Sequence, residues 1–331
     1  MNGGRELVRL LYRQARTVLG SLAAACVALG AHAQGAYPQR FVRVVVPFPV
    51  ATSPDIAIRL VGSQLAAMWG RQVVIENRVG AAGNIGAAAV AGAAPDGHTL
   101  LYTVNSVICA NPHLYSKMTF DPLKDFAPVS LVANLGYVLI GRNDLPARDL
   151  KELIALARAQ PGKLSYSSSG VGAGTHIAME LLLGATGTQM LHVPMNTPAT
   201  AAVFHGETDL TMSPYTTGIP AAKSGKARGF GVTLARRAPA LPDVPAIAEV
   251  VPGYVGDAWH GLLAPAGTPQ AIVDKVAADT AKVLAMPDVR ERLTAIGLEP
   301  VGTTPAEFAA IVRNDYRKWG KVIRDANIRL D

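Results

Sequence analysis

The chain has 331 residues, 50% of them apolar and 17% charged. That balance excludes a disordered chain, which carries fewer apolar residues and more net charge, and it suits two lobes of ordinary size. The formal charge is +7, but Arg5, Arg9, Arg13 and Arg16 lie at the N-terminus; beyond Ala33, 27 basic residues face 23 acidic ones with no dense Lys/Arg run, so no nucleic-acid partner is indicated.

The basic stretch ending at Arg16 is followed by an uncharged, mostly apolar run from Thr17 to Leu29 and then by Ala31-His32-Ala33 before Gln34. This is the pattern of a cleavable secretory signal, residues 1–33, cut after Ala33, and the apolar run is too short to span a bilayer. The competing readings are a buried first helix and a lipidated Cys26, which lacks the usual leucine three residues before it. Cleavage would leave Cys109 as the lone cysteine, so no internal disulfide is expected and the fold must rest on its core. No later run has membrane length, so the expected location is the periplasm.

Phe41 to Val46 reads as a strand closed by Pro47-Phe48-Pro49. Ile56 to Trp69 has helical apolar spacing, opened by Ser53-Pro54-Asp55 with Ser53 as the expected N-cap. Val73 to Ile75 is a strand, Ile85 to Ala94 a small-residue helix, and His98 to Thr103 a strand. The middle repeats the alternation: strand Tyr137–Ile140, helix Leu150–Ala159, strand Leu164–Tyr166, helix His176–Leu183. Short strands at 191–193, 210–212 and 229–234 follow. The tail is helical over 271–284, 289–295 and 308–327, with Thr304-Pro305-Ala306-Glu307 as a capping box. Strand–helix alternation predicts an α/β fold with largely parallel sheets.

Two glycine-rich turns, Gly80 to Gly86 and Gly170 to Thr175, each leave a strand and enter a helix. Neither matches a dinucleotide or phosphate-loop motif. A helix start of this kind offers amides and a positive dipole end to an anion; the plainer reading is a tight turn. There is no G-x-S-x-G elbow and no H-E-x-x-H, and the histidines lack metal-ligand spacing, so neither an enzyme nor a cofactor is indicated. His176, one turn into its helix, is a candidate for orienting the Ser-Gly loop. Trp259 is either core or cleft lining.

The chain resembles the tripartite tricarboxylate transporter receptors, also called Bug receptors, from about Tyr37 to the C-terminus. The resemblance rests on Tyr37-Pro38-x-Arg40, Val45-Val46-Pro47-Phe48, Val74-Ile75-Glu76-Asn77-Arg78 and Gly83-Asn84-Ile85-Gly86. Further matches are Pro95-Asp96-Gly97, Asn111-Pro112-x-Leu114-Tyr115, Pro161-Gly162-Lys163-Leu164, His192-Val193-Pro194 and Ala264-Pro265-Ala266-Gly267-Thr268-Pro269. It implies a two-lobe periplasmic binding protein of type II, each lobe a mostly parallel sheet flanked by helices, that closes on a small organic carboxylate, without catalysis or cofactor. Lobe one is expected over 37–140 plus 257–331 and lobe two over 141–256, in a monomer. The partner would be the transporter's membrane subunits or, alternatively, a sensor kinase.

The same resemblance places the ligand against a first loop, Phe48, Val50, Ala51, Thr52, Ser53 and Asp55, and against Ser106. From the second lobe it implies Ser168, Gly170, Gly172, Ala173 and Thr175, then Met195, Asn196 and Ser213, with Trp259 at the return. The departures from the family pattern cluster here. Ala51-Thr52 stands for a glycine pair, Asn196-Thr197 for Lys-Gly, Ser213 for an acidic residue and Ala173 for a serine. Ala and Thr tolerate positive φ poorly, so the first loop is expected to change path or to hold strain.

Overall fold

The computed structural model describes residues 37–195 and 198–330. The chain falls into two units, Met1–Gln39 and Arg40–Asp331, and every element below lies in the second. The signal segment 1–33, with Cys26 in it, and Asn196 lie outside the described residues.

Strand β1 (Val42–Val46), almost wholly β-branched, is buried along its length except at Arg43. It feeds helix α1 (Ser53–Trp69), which ends at Gly70 in the left-handed conformation, φ 61. Strand β2 (Val73–Asn77) pairs parallel to β1. Helix α2 (Asn84–Ala91) returns to β3 (Thr99–Val104), which flanks the other side of β1, also parallel. A π-turn at Ser106–Ala110 and the short α3 (Asn111–Leu114) lead to β4 (Phe126–Leu135). Strand β4 has no counterpart among the elements read from the sequence; Pro128 sits opposite Leu263, where the register of the partner strand shifts, and such an irregularity tolerates proline.

The chain then crosses at Gly136. Strand β5 (Tyr137–Gly141) pairs with β8 (Leu210–Pro214) and β9 (Arg228–Val232), all in the second sheet. Residues 137–140, assigned to lobe one from the sequence, therefore join the second sheet, and the crossing falls four residues earlier. Between β5 and β8 come α4 (Leu150–Ala159), β6 (Ser165–Ser168), α5 (Gly174–Thr186), β7 (Leu191–Pro194) and α6 (Ala199–Phe204). Helix α7 (Tyr215–Lys223) links β8 to β9, and α8 (Ile247–Val250) precedes the return. The α4 span matches its apolar periodicity: Leu150, Leu153 and Ala157 are buried, and Asp149 caps the helix by accepting from the Glu152 amide at 2.9 Å.

Strand β10 (Ala258–Pro265), buried throughout, re-enters the first sheet between β3 and β4, antiparallel to both. Helices α9 (Gln270–Ala285) and α10 (Pro287–Ala295), the edge strand β11 (Leu298–Pro300) and helix α11 (Pro305–Asp325) complete the chain. The capping box at α11 forms: Thr304 and Glu307 exchange bonds at 2.9 and 3.3 Å. One stripe of α11, Phe308, Val312, Trp319 and Ile323, enters the first-lobe core, each side chain contributing about 1.5–3 kcal/mol. The sheets run β2-β1-β3-β10-β4-β11 and β7-β6-β8-β5-β9. Both are mixed rather than largely parallel. Parallel pairing holds where a helix connects the strands, as in β1–β2 and β6–β7, whereas the strands at the crossings pair antiparallel.

Candidate functional site

The first loop, Pro47 to Thr52, runs from β1 into α1. Thr52, not Ser53, is the N-cap; its side chain caps nothing and instead donates to the Pro49 carbonyl at 2.7 Å. Ser53 is the first helical residue, and its Oγ is buried without a hydrogen-bond partner. The first-turn amides of Ser53 and Asp55 have no intrahelical acceptors. An unpaired hydroxyl thus sits beside donor amides at the positive end of a 17-residue helix, a place that suits an anion's oxygens. Val50 is 66% exposed, while Phe48 packs on the first-lobe core.

Asp55 turns inward. It is 2% exposed and accepts from the Ala51 amide at 3.0 Å, Arg59 Nε at 2.9 Å and Asn77 Nδ2 at 2.9 Å. Burial works to raise its pKa, but the bonds from Arg59, Asn77 and Ala51 outweigh it and keep the carboxyl below its usual range. Asp55 therefore ties the loop to its helix and to β2 rather than facing a ligand. The loop divides the lost glycine pair unequally: Ala51 takes φ 65, while Thr52 stays extended at φ −79, ψ 162. The left-handed conformation costs a non-glycine residue about 1–2 kcal/mol.

Gly80 to Gly86 supports this loop from below. A Cβ on Gly86 would stand 2.8 Å from the Arg78 carbonyl oxygen and 2.9 Å from Pro47 Cβ. Glycine here permits the close approach of α2 to the first loop.

The second loop, Ser168 to Ala173, runs from β6 into α5. Its amides are mostly engaged within the loop. Gly170 N–H donates to Ser168 Oγ at 3.2 Å, Ser169 N–H to Thr175 Oγ1 at 3.0 Å and Gly172 N–H to His176 Nδ1 at 3.0 Å. Gly170 and Gly172, expected beside the ligand, spend these amides within the loop and shape it at φ 117 and 75. Gly172 also faces lobe one: a Cβ there would lie 2.8 Å from Leu114 Cδ1. The first-turn amides of α5, at Gly174 and Thr175, still lack intrahelical acceptors. The Met195 amide donates to the Ser168 carbonyl at 2.9 Å.

A pair of histidines holds this loop. The rings of His176 and His192 stack with centroids 3.8 Å apart and planes 7° apart, and Tyr166 stacks on His192 at 4.8 Å. His192 Nε2 lies 2.7 Å from Ser168 Oγ. Burial, then the neighbouring His192, push the pKa of His176 down to about 3, and burial lowers that of His192. Both rings are neutral at neutral pH, so His176 Nδ1 can accept from Gly172. The orienting role read for His176 from its position has this geometry; the part of His192 was not read, because β7 and α5 meet only in the fold.

Ser106 and the start of α5 meet at a water-sized cavity of about 10 Å³, lined also by Asn105, Tyr137, Asp257 and Trp319. Burial, reinforced by Asp315 and opposed by Lys318, pushes Asp257 up to about 6. Trp319 Nε1 is buried there without a partner. No local sequence signal marks these residues, which come from four distant segments. Ser213 and Trp259 are buried. Ser213 is fully buried, its hydroxyl 2.8 Å from both Thr200 Oγ1 and Thr217 Oγ1. Trp259 is core: 2% exposed, edge-on to Phe308, with Nε1 donating to Asp315 at 2.7 Å.

The model of the family described as tripartite tricarboxylate transporter family receptor matches residues 57–328. The chain belongs to that family. Among similar proteins, the protein of the tcbD–tcbE intergenic region of Pseudomonas sp. (strain P51) is 35% identical over 314 residues, 93% of each chain. The R. palustris protein solved with adipate is 34% identical over 89% of this chain and 100% of its own, with a TM-score of 0.74. MatC from Rhodopseudomonas palustris, with bound malate, is 33% identical over 87% of this chain and 100% of its own, with a TM-score of 0.70. The fold is accordingly that of the two-lobe periplasmic solute-binding receptors, and the chain is a receptor of that family rather than an enzyme. Among the described residues no helix is long and apolar enough to cross a membrane, and no group of His, Cys, Asp and Glu is placed to hold a metal.

Proposed function

We propose that this receptor captures a small carboxylate without an ammonium group, such as a dicarboxylate, between its lobes in the periplasm and passes it to a tripartite membrane transporter. The observation that carries this reading is the start of α1, where the buried, unpartnered Ser53 hydroxyl stands beside first-turn amides. The first-turn amides of α5 and the hydroxyl of Ser106 supply donors from the other loops. Two similar proteins were solved with adipate and with malate, which supports a carboxylate here. Ser213 stands where the family pattern has an acidic residue and bonds only to the hydroxyls of Thr200 and Thr217, which leaves no carboxylate at that position to pair with an ammonium group and favours a ligand without an amine.

Calorimetric titration of the exported protein with adipate, succinate and aspartate tests this. Adipate or succinate should bind at least about tenfold more tightly than aspartate, the scale of one unpaired charge. Tighter binding of aspartate would overturn the ligand class. Ser53→Ala should weaken the carboxylate by about 1–2 kcal/mol, the worth of a hydrogen bond to a charged group. Export is tested by N-terminal sequencing of the secreted chain, which should begin at Gln34; a chain beginning at Cys26 or Met1 would refute cleavage after Ala33.

A further inference from the structure

In each sheet the strands at the crossings separate two edges: β4 and β10 part β1–β2 from β11 in the first, and β5 parts β6–β7 from β9 in the second. The loops of the candidate site follow β1 and β6. The β9 and β11 edges meet, between the lobes, at a cavity of about 440 Å³. Lobe two supplies Ile219 and Pro220 of α7 and Leu234 after β9; lobe one supplies Ala295 of α10 and Leu298 of β11. The lobes touch closely beside it: a Cβ on Gly297 would stand 2.9 Å from Thr216 Cγ2.

Three arginines border this apolar chamber. Arg236 pairs with Glu299, and Arg237 with Glu249 at 2.7 Å. Among the described residues no carboxylate lies within ion-pair distance of Arg290, whose guanidinium reaches only the Leu284 carbonyl, at 3.4 Å. Apolar walls with one uncompensated guanidinium complement a compact apolar body bearing a single negative charge.

We propose that this cavity is a second ligand site, for a small apolar monocarboxylate held by Arg290, and that its occupant strengthens ligand binding in the cleft across the crossings. If the crossings act as the pivot, closing the loop side widens the β9–β11 side. A molecule that fills the cavity keeps that side apart and so favours closure. The coupling is reciprocal: the cleft ligand must tighten the second site by the same factor. The second site stands on its own geometry; only the coupling rests on the carboxylate reading above.

Methyl-resolved NMR of the exported protein with benzoate as probe tests both parts. Benzoate should shift the methyls of Ile219, Leu234 and Leu298, and benzyl alcohol should do so far more weakly. Arg290 is exposed, so Arg290→Gln should leave the spectrum folded while weakening benzoate by about tenfold, the scale of a charge-assisted pair. Ala295→Trp, at an exposed helix end, should fill the chamber and abolish the shifts. Unmoved methyls at high benzoate, or equal affinity in Arg290→Gln, would overturn the site, as would shifts confined to Val50 and the cleft loops. Adipate titrated with and without saturating benzoate should bind several-fold more tightly with it; unchanged or weaker binding would overturn the coupling. If adipate fails to bind at all, the function proposed above fails, while the methyl shifts still decide the second site.

Discussion

The loop entering α1 and the loop entering α5 each bring a strand end to a helix start, but they are held by opposite chemistry. In the first, a buried carboxylate gathers three donors, and one alanine sits in a glycine conformation. In the second, two stacked neutral imidazoles accept from or bond to the loop. The charged centre is stabilised by partners that hold its proton off. The neutral pair is stable only while it stays unprotonated. The two loops should therefore respond differently to acid, and that difference is open to measurement.

The largest effect should come from acidifying the histidine pair. Unfolded, His176 titrates near 6.5, but in the fold its pKa is pushed down to about 3. Between these values the unfolded chain binds more protons, so this contribution is whole above about pH 6.5 and is lost as pH falls toward 3. Its full size is about 3–5 kcal/mol. Unfolding by urea at pH 7 and pH 4.5 should show a drop that His176→Gln reduces, and the Gly172 amide should exchange faster at the lower pH. An equal drop in wild type and variant would remove the histidine pair as the cause.

Next in size is Asp55→Ala. It strands the amides of Ala51 and Asn77 beneath the loop and should cost about 2–4 kcal/mol. Because the carboxyl's folded pKa is lowered, its contribution is present above about pH 4 and disappears below. The first loop should thus keep its amide protection at pH 5, where the second begins to lose it. Simultaneous loss of protection in both loops would contradict the comparison.

The smallest effect is Ala51→Gly. Relief of the left-handed alanine should stabilise the folded state, offset by the greater freedom of glycine when unfolded, for a net change within about 1 kcal/mol. Thr52→Gly, by contrast, relieves nothing, since Thr52 is already extended, and should destabilise. A thermal-melt comparison of the two variants separates them; the same sign and size for both would mean that the strain does not reside at Ala51.

Local pattern was enough for much of the chain. The β-branched run of β1, the apolar stripe and Asp149 cap of α4, and the Thr304–Glu307 box of α11 are all written in neighbouring residues, because their periodicity and end chemistry act over one or two turns. The ordered family motifs carried the two-lobe architecture. Sequence reading failed where the deciding contact was remote. Strand β4 is stabilised by β10, more than a hundred residues away, at a register shift that accommodates Pro128. Trp259 became core because α11 supplies Asp315 and Phe308, and Asp55 turned inward because β2 supplies Asn77. The direction a side chain faces depends on which distant surface covers it, and only the packed fold settles that.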